Sequence, residues 1–521
     1  MAAPTPVDLS AALVLTAPLP GDWLLILPPV TMILFGAVLM MLRNRIQWHG
    51  GIGVAGLALL VLETGLLLAR VAAGGPLTMT MGRWLPPFGI AFTADVLGAL
   101  MAFVASVAAL AAGIFALVDI DSGARRYGFF PFLMLLMAGV TGAFLTGDIF
   151  NLYVWFEVLL ISSFGLLVLG SEREQIDGGL KYAILNLVGT TLFLITVGYL
   201  YGVFGTLNMA DIALKVRTIE NAPLMTLSAL FLMAFAMKAA AFPVNFWLPA
   251  SYHTPRITVS AIFGGLLTKV GVYALLRVVV MLFPLQREEL STVIAVVAIL
   301  TMVIAALGML AQDDLRRMAG FAVILGIGNV LAGIATGTTA GISGAVLYAL
   351  HSMLTMTALY LIIGRAALLS GGEWRLSGLG GLYAAAPGFA FLSLILFLAV
   401  SGLPPASGLW PKVSLVKAAL DVGAWWLAGA ILVSGFLSTI ALARVFLLAY
   451  WRPAPERVPG KSTLGRRDQW RVNLPVAVLV LVSLGFGLLP EQPMSLTQSA
   501  ASSLLEPSAY IRSVFPQKVT P

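Results

Sequence analysis

FLMAFAMKAAAFPVNFWLPASYHTPRITVSAIFGGLLTKV, residues 231–270, decides the fold. The stretch begins as an apolar helix, carries Lys238 deep within it, and then breaks. Pro243, Pro249 and Pro255 recur every six residues. Each removes a backbone donor and clashes with the preceding turn, so no ordinary α-helix runs through them. Lys269 follows inside the next apolar segment. An ionisable residue at membrane depth costs about 2.5–3.5 kcal/mol on insertion scales and marks a functional position. A helix broken at that depth is tolerated only where protein or a watery cavity receives the freed carbonyls. Together the two features predict an ion pathway.

The rest of the chain agrees with a membrane setting. Its 521 residues are 60% hydrophobic and only 10% charged, with a mean hydropathy of +0.99. Soluble domains do not have that composition, and runs of about 20 apolar residues read as spanning helices. With no cysteine, thiolate metal sites, iron–sulfur clusters and disulfides are excluded, and three histidines leave little room for haem or zinc. No cofactor is expected. The net charge of +7 does not imply nucleic acid, because the basic residues sit in short loops. The first 22 residues contain prolines and aspartates and no basic leader, so no cleavable signal peptide is expected.

Apolar runs predict an all-α polytopic protein with about fourteen spans, at 23–42, 51–73, 92–118, 128–146, 149–169, 179–203, 224–248, 257–282, 291–310, 318–336, 342–364, 387–420, 424–450 and 473–490. The longest polar piece, Arg452 to Arg471, reads as a loop, so the whole chain 1–521 is expected to be one integral membrane unit with its core at about 128–450. With both termini outside, the loops on one face hold seventeen Lys/Arg and those on the other seven. That bias places the Arg452–Arg471 loop in the cytoplasm.

Residues 387–420 repeat the opening theme. SGLPPASGLWPK lies in their middle, where Pro404, Pro405 and Pro411 with Gly402 and Gly408 unwind the helix and Lys412 follows. Two interrupted helices, the seventh and twelfth, in corresponding halves point to two inverted repeats and a midplane site.

The ionisable residues inside spans are the candidate site. Glu157 sits mid-span and is expected to pair with Lys238, each holding the other ionised. Lys238 and Lys269 are fourteen and about twelve residues into their spans, too deep to snorkel. Amines in low dielectric release protons readily, which suits a carrier. His351, mid-span in VLYALHSMLTMTALYL, has an ordinary pKa of about 6.5 that suits proton hopping. Lys417, nearer a helix end, reads as an interface anchor. Glu63 is a second central carboxylate without an assigned role. His253, in the loop after the first break, reads as a cap, a structural contact or a proton access point. Asp95, Asp148, Asp421, Arg277 and Arg444 fall near span ends and are expected at headgroups or loops.

GDIFNLYVWFEVLLISSFG, MKAAAFPVNFWLPASYHTP, GGLLTKVGVYALLRV and SGLPPASGLWPK together resemble the antiporter-like subunits shared by respiratory complex I, membrane-bound hydrogenases and Mrp-type sodium/proton antiporters. LKYAILNLVGTTLFLITVGYLYGVFGTLNMADIA is most similar to the D-type subunits of Mrp systems. The resemblance covers nearly the whole chain and implies fourteen spans in a prokaryotic plasma membrane. It also implies a polar axis along the membrane midplane, with Glu157, Lys238, Lys269, His351 and Lys412 at its positions. The implied function is proton translocation coupled to sodium export, without enzymatic chemistry, and the implied partners are other membrane subunits, protons and possibly sodium. Two departures stand out. Many relatives carry a lysine one turn after the histidine, where this chain has Thr355 and Met356. After His253 it reads TPRITVSA, with less proline than is usual. The alternative readings are a proton-pumping subunit of complex I or a hydrogenase, and a scaffold that transports nothing. A scaffold has no use for costly midplane charges.

Overall fold

The computed structural model describes residues 13–14, 19–219, 222–454 and 464–516. Among these described residues, ten helices are long and apolar enough to cross a membrane. In chain order these are α2 (Ile46–Gly74), α3 (Val96–Asp119), α5 (Ile149–Leu167), α6 (Arg173–Phe204), α8 (Ile257–Leu282), α9 (Ser291–Ala311), α10 (Leu315–Thr336), α11 (Thr339–Leu369), α13 (Trp425–Trp451) and α14 (Arg466–Leu488). Four shorter apolar helices occupy the other expected positions: α1 (Leu27–Met41), α4 (Phe129–Leu145), α7a (Leu224–Ala239) and α12a (Pro387–Ser401). After each of the last two the chain unwinds and resumes, as α7b (Trp247–Ser251) and α12b (Leu409–Asp421).

The layering follows from where apolar surface is covered by protein. Every residue in the apolar windows of α8 and α11 is buried, and nearly all in that of α10, whereas α2, α6 and α14 leave most of theirs outward. Helices that are apolar all round and still exposed suit hydrocarbon, and those at the centre form the core. Small residues allow the close crossings. At Gly271 of α8, a Cβ would lie 2.9 Å from the backbone nitrogen of Ala239, so α7a and α8 nearly touch.

Two five-helix units repeat. In α4–α8 and again in α9–α13, an aspartate caps the second helix: Asp148 accepts from the amide of Asn151, and Asp314 from that of Arg316. Each aspartate also forms an isolated antiparallel bridge, to Asn208 and to Arg375 respectively. The fourth helix of each unit is the broken one. Ala240 and Gly402 adopt left-handed backbone at the same place in each break. The helix restarts eight residues after Ala239 and eight after Ser401. The fifth helices both end in a π-turn, Leu276–Leu282 and Phe446–Trp451. A unit of five passes is odd, so its repeat starts from the opposite face.

The structure corrects several readings. The third span does not begin at 92. Ala91–Ala94 (β2) pairs antiparallel with Leu77–Thr80 (β1), and Asp95 caps α3 through the amide of Gly98. Part of the expected Arg452–Arg471 loop is helical, since α14 starts at Arg466; residues 455–463 lie outside the described residues. Two helices stand beyond the last expected span, α15 (Glu491–Leu505) and α16 (Ser508–Val514). α15 packs on α11 and α3, and α16 on the hairpin.

Arg277 and Asp95 are not at headgroups. They form an ion pair, 0% and 1% exposed, between α8 and the start of α3. Arg277 also donates to the Tyr273 hydroxyl at 3.0 Å and lies between the rings of Tyr273 and Tyr510, 5.2 Å from each centroid. Eight residues apart, Lys269 and Arg277 lie on one side of α8, but only the arginine has a carboxylate. Removing one member of a buried pair leaves an uncompensated charge, at about 3–5 kcal/mol. Arg277→Ala is therefore expected to lower the melting temperature and membrane abundance sharply. Arg277→Met with Asp95→Asn should recover much of both, as read by thermal denaturation in detergent.

Candidate functional site

Lys238 is 6% exposed near the end of α7a. Its ammonium has no protein hydrogen-bond partner among the described residues and lies over the ring of Phe156, 5.7 Å from the centroid. Glu157, the next residue on α5, is only half buried and interacts with Tyr153 one turn earlier. No Glu157–Lys238 ion pair is formed among the described residues. The expected contact pair is instead a longer-range attraction. The aromatic face supports the cation without binding it in one place.

Lys269 is 1% exposed and is held differently. Its Nζ donates to the carbonyl of Gly264 at 2.8 Å. Gly264 lies in a π-turn, Phe263–Leu267, that widens α8 one turn before the lysine. Such turns re-aim carbonyls and recur at functional positions.

His351 is buried on α11. Its Nδ1 lies 2.7 Å from the Ser407 hydroxyl inside the second break, and Ser407 is 2.7 Å from the Ser483 hydroxyl on α14. The chain of three polar groups therefore ties α11, the break and α14 together. Thr355, one turn after the histidine, donates to the carbonyl of His351 at 2.8 Å and is satisfied locally.

Lys412 reaches back across the second break. From α12b its Nζ donates to the carbonyl of Ser401, the last residue of α12a, at 2.6 Å. Gly435 of α13 leaves room for this ammonium, which would lie 3.1 Å from a Cβ there.

α8 packs on both α7a and α11, and α11 packs on α12b. Lys238, Lys269, His351 and Lys412 therefore occupy successive, mutually packed helices, and His351 is within electrostatic reach of both Lys269 and Lys412. Glu157 approaches from α5 at one end. Glu63 is elsewhere: its Oε1 accepts from Thr31 of α1 at 2.7 Å, away from this row. Ser407 and Ser483 are the members that sequence reasoning missed. Serines in apolar helices are common, and the one available signal was the position of Ser407 between Pro405 and Gly408.

Residues 146–438 match the family described as NADH:quinone oxidoreductase/Mrp antiporter, transmembrane. The chain is 34% identical to the D-type subunit of the Na(+)/H(+) antiporter of Alkalihalophilus pseudofirmus, over 94% of this chain and 99% of the relative. Its fold is similar to a chain of the Mrp complex from Dietzia, with TM-score 0.88 and 29% identity, covering 95% of this chain and all of that one. It is also similar to a chain of the membrane-bound sulfane sulfur reductase, an archaeal respiratory complex, with TM-score 0.85, 26% identity and the same coverage.

A buried donor or acceptor left unmatched costs about 1–3 kcal/mol. Ser407→Val strands both the His351 Nδ1 and the Ser483 hydroxyl and is expected to destabilise by that amount. Ser407→Thr, which keeps the hydroxyl, should cost less. Denaturant unfolding of the purified protein compares the two.

Proposed function

Since the chain belongs to the NADH:quinone oxidoreductase/Mrp antiporter transmembrane family, we propose that it is the proton-translocating D-type subunit of a multisubunit sodium/proton antiporter. It is a secondary transporter subunit rather than an enzyme, set in a prokaryotic plasma membrane as a single integral unit. The supporting observation is the row of Lys238, Lys269, His351 and Lys412 on successive packed helices. Two of its ammonium groups are bonded to carbonyls at helix irregularities.

Protons enter at the first break, pass along Lys238, Lys269 and His351 to Lys412, and leave at the second. Glu157 acts on Lys238 across space, and changes in their separation gate the lysine's release of its proton. Ser407 links His351 to the break that holds Lys412. Inward movement of one proton down a 100 mV potential supplies about 2.3 kcal/mol, which drives sodium export when coupled. The excess of basic loop residues supports a cytoplasmic Arg452–Arg471 segment with both termini outside. The respiratory alternative has weaker support, since among the solved structures the Mrp complex chain is more similar, at 29% identity and TM-score 0.88, than the archaeal respiratory chain, at 26% and 0.85.

A carrier must deprotonate, and arginine does not. Lys238→Arg and Lys238→Ala are both expected to lower sodium-driven exchange at least about tenfold, or about 1.4 kcal/mol on the barrier. The arginine variant should keep the complex assembled. The assay is the pH change in everted vesicles from an antiporter-deficient host, normalised to complex abundance. Near-parental exchange with arginine would make this lysine a fixed charge and remove it from the route. The purified chain alone, reconstituted in liposomes, is expected to give no sodium-driven pH change, because the proteins it is similar to are single subunits of multisubunit complexes. Robust exchange by the lone chain would refute the multisubunit reading.

A further inference from the structure

The proton row leaves the buried imidazole of His253, beside the first break, unused. His253 lies between α7b and α8 and lines an open cleft of about 1070 Å³, which reaches down to Asn245 and Phe246 in the break itself. Its Nδ1 is 2.8 Å from the carbonyl of Pro249 in α7b. Its Nε2 is 3.1 Å from a terminal guanidinium nitrogen of Arg317, in the first turn of α10. A carbonyl only accepts and a guanidinium only donates. Nδ1 must therefore carry the hydrogen, and Nε2 must be bare to accept from Arg317. These two partners together admit only the neutral ring. A second proton would go to Nε2, aim an N–H at the guanidinium, and set two positive charges against each other.

The contact lies over a tight joint. α7b packs on α10 at Gly320, where a Cβ would be 3.2 Å from the Cα of Pro249. The Leu248 side chain of α7b packs over Gly320 as well, 3.3 Å from that Cβ position, and the His253–Arg317 contact is the polar latch beside this apolar joint. We propose that neutral His253 is a positioning residue, holding α7b, the second half of the broken helix, against α10 through Arg317. Protonation from the cleft releases the latch and lowers transport. The inference rests on the antiporter reading for its transport readout only, and not on the midplane proton route.

The other charges around the cleft leave the latch to these two residues. Asp314 is engaged by Arg316 at 2.9 Å. Asp177 is paired with Lys181 at 2.5 Å across the cleft on α6, where Glu174 also lines it. Asp313 accepts from Ser377, and Glu373 accepts from the amides of Trp374 and Arg375. Burial and the Arg317 charge hold the imidazole below its ordinary 6.5, with Asp314 and the bond to Pro249 opposing them and Arg316 adding to the lowering. A group whose pKa is lowered in the latched state favours that state fully above its free value. The latch is therefore complete above about pH 6.5, weakens below it, and is lost as the pH falls through the ring's lowered value in the latched state.

The test uses the intact complex in vesicles, with the pH varied on the side the cleft faces. His253→Asn and His253→Gln offer an amide to the same partners and cannot be protonated. Parental exchange is expected to be lost progressively as the pH is lowered from about 7.5, where the ring is neutral, into the acid range. Either variant should flatten that fall while working near parental level at the alkaline end. Arg317→Gln, which leaves the imidazole no guanidinium to oppose, should also flatten it and covers any failure of the first two to assemble. A second readout needs no transport. The chain has no cysteine, so Asn245→Cys places a single thiol in the cleft of this protein. An impermeant thiol reagent should label it faster on the parental background than on His253→Asn at acid pH, and equally at alkaline pH. An acid limb unchanged in all three variants, or equal labelling at both pH values, would overturn the proposal. Loss of exchange at every pH with the labelling difference intact would count against the antiporter reading and not against the latch.

Discussion

An ammonium group in hydrocarbon and an unpaired backbone carbonyl in hydrocarbon are each costly, and this chain repeatedly satisfies one with the other. Lys412 donates to the carbonyl of Ser401 across the second break, and Lys269 to that of Gly264 in a π-turn. Neither lysine faces a carboxylate within contact distance among the described residues. A carboxylate would hold the ammonium charged, whereas a carbonyl accepts a hydrogen bond without fixing a full opposite charge beside it. That distinction separates the buried lysines of the row from the Arg277–Asp95 pair, two turns further along α8, where a full counter-charge locks the guanidinium in place. One helix thus carries both a cation held loosely and a cation held fast.

The repeat explains why the row is continuous. Each five-helix unit brings its own broken helix to the centre, and the most buried helices of the two units, α8, α10 and α11, pack together there. Lys238 lies just before the first break and Lys412 just after the second, so the two units contribute from opposite ends of the same device. The C-terminal helices close over this core. α15 lies on α11, and Tyr510 of α16 stacks on Arg277.

The breaks were legible because proline acts locally: Pro243 and the Pro404–Pro405 pair interrupt the helices, whereas Pro249 and Pro411 fall in the first turns of the resumed helices α7b and α12b, where the missing donor is tolerated. Lysines in apolar sequence were legible for a similar reason, since few roles repay their burial. What could not be read were contacts made across the chain. Asp95 and Arg277 are 182 positions apart, and each alone resembled a span-end charge. The Ser407–Ser483 bond joins two residues that look like ordinary packing serines. The expected Glu157–Lys238 contact failed for a geometric reason, because the lysine faces the ring of Phe156, one position from the carboxylate. α15 and α16 were missed because their apolar residues are sparse, and they become helices by packing onto a surface that the sequence does not display.

The central claim is that buried lysines of this chain change protonation during exchange. The most direct measurement is an infrared difference spectrum of the intact complex, carrying isotope-labelled lysine, on addition of sodium. The account predicts a lysine ammonium band that changes with sodium and is lost from the Lys238→Arg and Lys269→Arg complexes. A difference spectrum unaltered by both replacements would show that these lysines stay fixed in charge, and would contradict it.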